Sequence, residues 1–81
     1  MYFHTNLEYL LKKKGLTNKK FGSMINKTGS TVGDYISNRS NPTFDGLIFM
    51  AKFFEIKIDD LIFIDLTVKE FNLVEESSVE N

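Results

Sequence analysis

The 81-residue chain has no cysteine, no tryptophan, one proline and one histidine. Without cysteine there is no disulfide scaffold, and one histidine cannot assemble a Cys/His zinc site. Long apolar runs are missing too. The longest cover residues 46–51 and 61–64, far short of the about 20 residues that cross a bilayer as a helix. The N-terminus has no basic region followed by an apolar stretch, so no secretory signal is read and a cytoplasmic location is expected. Reactive constellations are also absent: no nucleophile–base pair and no phosphate-binding glycine loop. No enzyme activity and no cofactor are therefore expected. His4 is read as a surface residue at a helix start. Asp59, Asp60 and Asp65 are read as dipole partners and solvated groups rather than metal ligands.

What is present points to one small domain with a packed core. Hydrophobic residues make up 42% of the chain, and eight of them are Phe, which excludes wholesale disorder. The net charge of −1 conceals a division. Residues 1–39 carry seven cations against two acids, and residues 40–81 carry three against nine. One half seeks anions and the other repels them.

The spacing of apolar residues predicts five helices. The first is expected over 5–14, opened by a capping box of Thr5 and Glu8. Phe3, Leu7, Leu10 and Leu11 follow helical spacing, Lys12 to Lys14 suit the last turn, and Gly15 supplies the stop. The second is expected from an N-cap at Thr17 to about Ile25, with Phe21, Met24 and Ile25 inward. Asn26 tolerates the left-handed backbone of a tight turn. The third starts from Thr28 as N-cap and runs to about Ser37, turning Val32, Tyr35 and Ile36 inward. Gly29, Ser30, Thr31, Gly33 and Asp34 are left facing out. Two glycines weaken such a helix by about 1 kcal/mol each relative to alanine, so packing must hold it. After a loop at 37–42, Thr43 caps the fourth helix, with an apolar stripe of Phe44, Leu47, Ile48, Ala51 and Phe54. Phe49, Met50 and Phe53 widen that stripe. The fifth covers about 58–64, with Ile58, Leu61 and Ile62 inward. The domain is expected to end near residue 66. Residues 67–81 are read as an acidic tail, in which Val68, Phe71, Leu73 and Val74 suit either a strand or a short helix.

With these elements in place, the chain resembles the XRE family, the phage repressor and Cro type of helix-turn-helix protein, over about residues 5–66. The resemblance rests on NLEYLLKKKGLT, on the segment TNKKFGSMINKTGSTVGDYISNRSNP, and on NPTFDGLIFMAKFFEIKIDDLI. It implies an all-α, compact five-helix, lambda-repressor-like domain with the helix-turn-helix in helices 2 and 3. It also implies double-stranded DNA as partner, a repressor-like regulator, and a nucleoid-associated location. Under it, Asn18 becomes a phosphate or base contact, Thr28 caps helix 3 and can donate to a phosphate, and Asn38 and Arg39 contact the DNA backbone. Lys19, Lys20 and Lys27 meet phosphates by counterion release.

Departures from the family pattern are informative. Asn18 stands where the family often has Gln. Leu11 and Ile36 stand where it often pairs an Arg with a Glu, which replaces an ion pair by apolar packing. Gly29, Ser30, Gly33 and Asp34 hold positions where longer donors usually read base edges. Ser30 and Thr31 can make single contacts, and Asp34 can only accept, for instance from a cytosine amino group. Two functions therefore stay open. One is a sequence-specific regulator, a homodimer on a near-palindromic operator. The other is a protein-interaction module, antitoxin-like, with weak or no DNA reading. Phe53, Phe63, Ile64 and Leu66 exceed what so small a core needs and are read as a dimer surface.

Overall fold

In the computed structural model, residues 1–68 are described. Five helices follow one another: α1 (Phe3–Lys14), α2 (Asn18–Met24), α3 (Gly29–Ile36), α4 (Phe44–Phe53) and α5 (Ile58–Phe63). A further helical turn occupies 66–68, and no strand occurs among the described residues. The all-α, five-helix expectation holds. The expected acidic tail lies outside the described residues from position 69 on.

Three of the five helices start where a threonine predicts it. Thr17, Thr28 and Thr43 have extended backbones, and their side chains accept hydrogen bonds from the amides of Lys20, Thr31 and Gly46. Each thereby satisfies a donor that the first helical turn leaves without a partner. α1 is the exception. It begins at Phe3 with Tyr2 at the cap position and no side-chain cap, so the Thr5–Glu8 capping box does not form. The amide of Tyr2 donates instead to the Ile62 carbonyl at 2.7 Å. Tertiary pairing to α5 draws the helix start two residues upstream of Thr5. Glu8 turns to Lys12, 3.9 Å away on the same face. At the other end Gly15, at φ 69°, closes α1 on the Leu11 and Lys12 carbonyls, as its sequence position predicts.

The core is built from Phe3, Leu7, Leu10 and Leu11 of α1, Phe21 of α2, Val32 and Tyr35 of α3, Met50, Ala51 and Phe54 at α4, and Leu61 of α5. Leu7, Phe21 and Leu61 are fully buried, each contributing about 1.5–3 kcal/mol relative to an exposed side chain. Phe21 packs its ring 5.6 Å from both Phe53 and Phe54. Ile36 is half-buried against the cluster that contains Leu11, so apolar packing occupies both positions where the family often places charges.

The register of α4 corrects part of the sequence reading. Leu47, Met50, Ala51 and Phe54 face inward, whereas Phe44 and Phe49 are exposed. Spacing of i, i+3, i+4 and i+7 from Leu47 describes the buried face. Phe44 falls in the first turn, beyond the reach of the core. Met24, expected inward at the end of α2, is also exposed.

One buried polar residue joins the two ends of the domain. Asn6 has no solvent exposure. Its amide nitrogen donates to the carbonyls of Leu61 (2.8 Å) and Ile64 (2.7 Å), and its oxygen accepts from the Leu66 amide (3.0 Å). The C-terminal end of α5 is thereby satisfied by a side chain of α1. Just beyond, hydrogen bonds from Thr67 hold the Asp65 carboxyl below the usual carboxylate range, at the start of the 66–68 turn.

Candidate nucleic-acid interface

α2 and α3 meet through glycine. A Cβ on Gly22 would stand 2.8 Å from the Lys27 carbonyl oxygen and the Thr28 carbonyl carbon. The connecting turn therefore lies directly on the Gly22 backbone, and the Lys27 amide donates to the Gly22 carbonyl at 2.7 Å. Asn26 makes the reversal at φ 62°, the left-handed conformation that Asn tolerates. A Cβ on Gly29 would stand 3.0 Å from the Cα of Lys19, so the start of α3 abuts the first turn of α2. These contacts set the angle at which α3 leaves the turn.

The outward face of α3 is open. Ser30 is exposed, and Thr31, Gly33 and Asp34 are half-buried. Val32 and Tyr35 anchor the opposite face in the core. Asn18, Lys19, Lys27, Thr28, Asn38 and Arg39 are all exposed. A Cβ on Gly33 would lie 3.8 Å from the Asn18 side-chain nitrogen, which places the Asn18 amide over the glycine gap of α3. The structure thus gathers Asn18, Gly33 and Asp34 with Ser30 on one surface. The Thr31 hydroxyl is engaged by Thr28 at 3.1 Å, and Ser30 offers a hydroxyl with no hydrogen bond among the described residues.

Two features of this surface were not read from the sequence. The first is an ion pair between Asp34 and Arg39, Nε to Oδ1 at 3.2 Å. Asn38 at φ 63° turns the chain after α3, and the Arg39 amide donates back to the Asp34 carbonyl. Asp34 is the single acid between positions 17 and 42, and its charge is paired. The signal was available: an acid and an arginine five apart, separated by an Asn suited to a left-handed turn. The second is the role of Gly22, which no local pattern separates from an ordinary helical glycine. Beside the turn, Met24, Ile25, Tyr35, Phe49 and Met50 line part of a groove of about 400 Å³.

Of the residues expected at a dimer surface, Phe63 and Ile64 are exposed. Phe53 and Leu66 are half-buried against the core, Phe53 also lying under the Lys14 ammonium at 5.7 Å. No group of acids and histidine suited to a metal occurs among the described residues. No helix there is long and apolar enough to cross a membrane.

An exposed helix held on a glycine-seated turn against a capped partner defines a helix-turn-helix protein. The family model described as helix-turn-helix matches residues 7–61. The chain belongs to that family, in its XRE type, a family of DNA-binding regulators of transcription. A solved transcriptional regulator from Listeria innocua superimposes with a TM-score of 0.70 and 31% identity, over 91% of this chain and 75% of its own. The chain is also 36% identical over 61 residues to the methylphosphonate synthase of Nitrosopumilus maritimus. That match takes in 75% of this chain but 13% of the synthase. The chain thus spans a small part of that enzyme's length.

Proposed function

We propose that the protein regulates transcription by inserting α3 into the DNA major groove, with the lysines of α2 and the turn gripping phosphates. One observation carries this reading: the open face of α3 is flanked by exposed Lys19 and Lys27, and its one acid is paired. Lysines at phosphates add affinity without sequence information. Sequence must then be read by Asn18, Ser30 and the Asp34–Arg39 region. Occupancy of an operator acts sterically on promoter access.

The regulator binds as a homodimer. Phe63, Ile64 and Val68 are exposed, as are Met1 and Tyr2, and the Tyr2–Ile62 hydrogen bond sets the two groups side by side. A two-fold dimer through this apolar surface would present both reading helices to a near-palindromic site, about 34 Å apart. A mobility-shift series with duplex DNA from a random pool, repeated across salt concentrations, tests DNA binding. Retardation that weakens steeply with salt is expected, and no retardation even at low salt overturns the reading. Sedimentation tests the dimer, which a monomer at high concentration excludes.

A second reading has its own support. The groove beside the turn leaves Met24 and Phe49 exposed, an apolar surface suited to a protein partner in an antitoxin-like module. Co-purification of a dissimilar protein together with absent DNA affinity would select it.

A further inference from the structure

The reading helix lacks the long donor side chains that make bidentate contacts to bases. Between Gly29 and Ile36 the outward residues are glycine, serine, threonine and aspartate. An arginine from outside the helix stands at the same face. Arg39 lies beyond the α3 C-terminus, yet Asn38 at φ 63° returns the chain and the Arg39 Nε donates to Asp34 Oδ1 at 3.2 Å. The carbonyl of Asp34 also accepts from the Arg39 amide at 2.9 Å. Main chain and side chain of one residue thus hold both parts of the arginine.

We infer that Arg39 is the principal base-reading residue of this protein, reading guanine, and that Asp34 is its positioning residue. This rests on the DNA-binding reading above. Arg39 uses Nε for Asp34, and among the described residues its two terminal nitrogens make no other hydrogen bond. Those two nitrogens form the fork that matches guanine O6 and N7 in the major groove. The arginine side chain is 74% exposed, so the fork is accessible. An exposed ion pair contributes little to folding stability; its effect here is to fix one orientation of a flexible side chain in advance. Pairing also cancels a carboxylate that would otherwise repel phosphates. It explains why an acid stands on a helix that approaches DNA. Gly33 supports the arrangement: with no side chain there, the outward ridge of α3 stays low one position before Asp34, beside the arginine.

The test is selection of duplexes from a random pool with the full chain, followed by binding measurements on the selected site. Four proteins are compared: wild type, Arg39→Lys, Arg39→Ala and Asp34→Ala. The wild type is expected to require guanine at one position of each half-site. Arg39→Lys keeps the charge but loses the fork, and should lower discrimination at that position roughly 5- to 150-fold while the other positions keep theirs. Asp34→Ala should weaken discrimination at the same position although Arg39 is intact, and bind unrelated DNA more tightly. Replacing the guanine by 7-deazaguanine, which lacks the N7 acceptor, should weaken the wild type and leave Arg39→Ala unaffected. Circular dichroism of each variant confirms folding. If Arg39→Ala weakens all sequences equally and Arg39→Lys restores binding, Arg39 is a phosphate contact and the inference fails. If Asp34→Ala loses a cytosine preference that Arg39→Ala retains, the acid is itself the reader and the inference fails. If the wild type binds no duplex at all, the DNA-binding reading fails, and with it this one.

Discussion

At the scale of single residues, two positions of no obvious chemical interest hold the domain in shape. Asn6 was legible as part of a helix start but not as a buried linker, because its partners lie more than fifty positions away at Leu61, Ile64 and Leu66. Its place three residues after Phe3 and four before Leu10 was the available clue. Asn6→Ala leaves two carbonyls and one amide without partners in a buried place, which should cost about 1–3 kcal/mol for each that water cannot reach. Denaturant unfolding measures it, and an unchanged midpoint would contradict the linking role. Gly22→Ala meets backbone rather than side chains, 2.8 Å from the Lys27 carbonyl oxygen. The backbone of a tight turn cannot give way cheaply, so a loss of about 1–3 kcal/mol is expected from overpacking alone. A thermal midpoint equal to wild type would count against the turn being seated on that glycine.

At the scale of elements, local chemistry predicted well where it acted alone. Thr17, Thr28 and Thr43 cap their helices as their sequence context suggests, and Gly15 and Asn26 adopt the left-handed backbones read from their positions. Local chemistry failed where a distant segment of the chain competed. Thr5 is no cap because Tyr2 pairs with Ile62, and Phe44 is exposed because the first turn of α4 overhangs the core. The two glycines of α3 separate the two kinds of constraint. Gly33 has room: a Cβ there would meet only a flexible side-chain nitrogen, at 3.8 Å. Gly33→Ala should therefore stabilise the protein by about 1 kcal/mol through helix propensity. A Cβ on Gly29 would stand 3.0 Å from the Lys19 backbone, so Gly29→Ala should destabilise through the α2–α3 packing. Thermal unfolding of the pair checks the opposite signs; equal shifts would refute the distinction.

At the scale of the whole molecule, charge is segregated by position in the chain. Lys19, Lys20 and Lys27, in α2 and the turn before α3, are exposed. If they meet phosphates, replacing all three by alanine should reduce the slope of log affinity against log salt by about 0.9 for each phosphate no longer neutralised. A slope unchanged from wild type would remove them from the DNA-facing surface. The amino-acid sequence by itself determined the helical class, the capped starts of α2, α3 and α4, the helix-turn-helix segment and the division of charge. Those follow from spacing and from hydrogen bonds a few residues long, which are the same in any context. The tertiary structure decided the start of α1, the inward face of α4, the seat of the turn on Gly22 and the pairing of Asp34 with Arg39. Each of these depends on which backbone or side chain arrives from elsewhere, and that is set only when the helices close on one core.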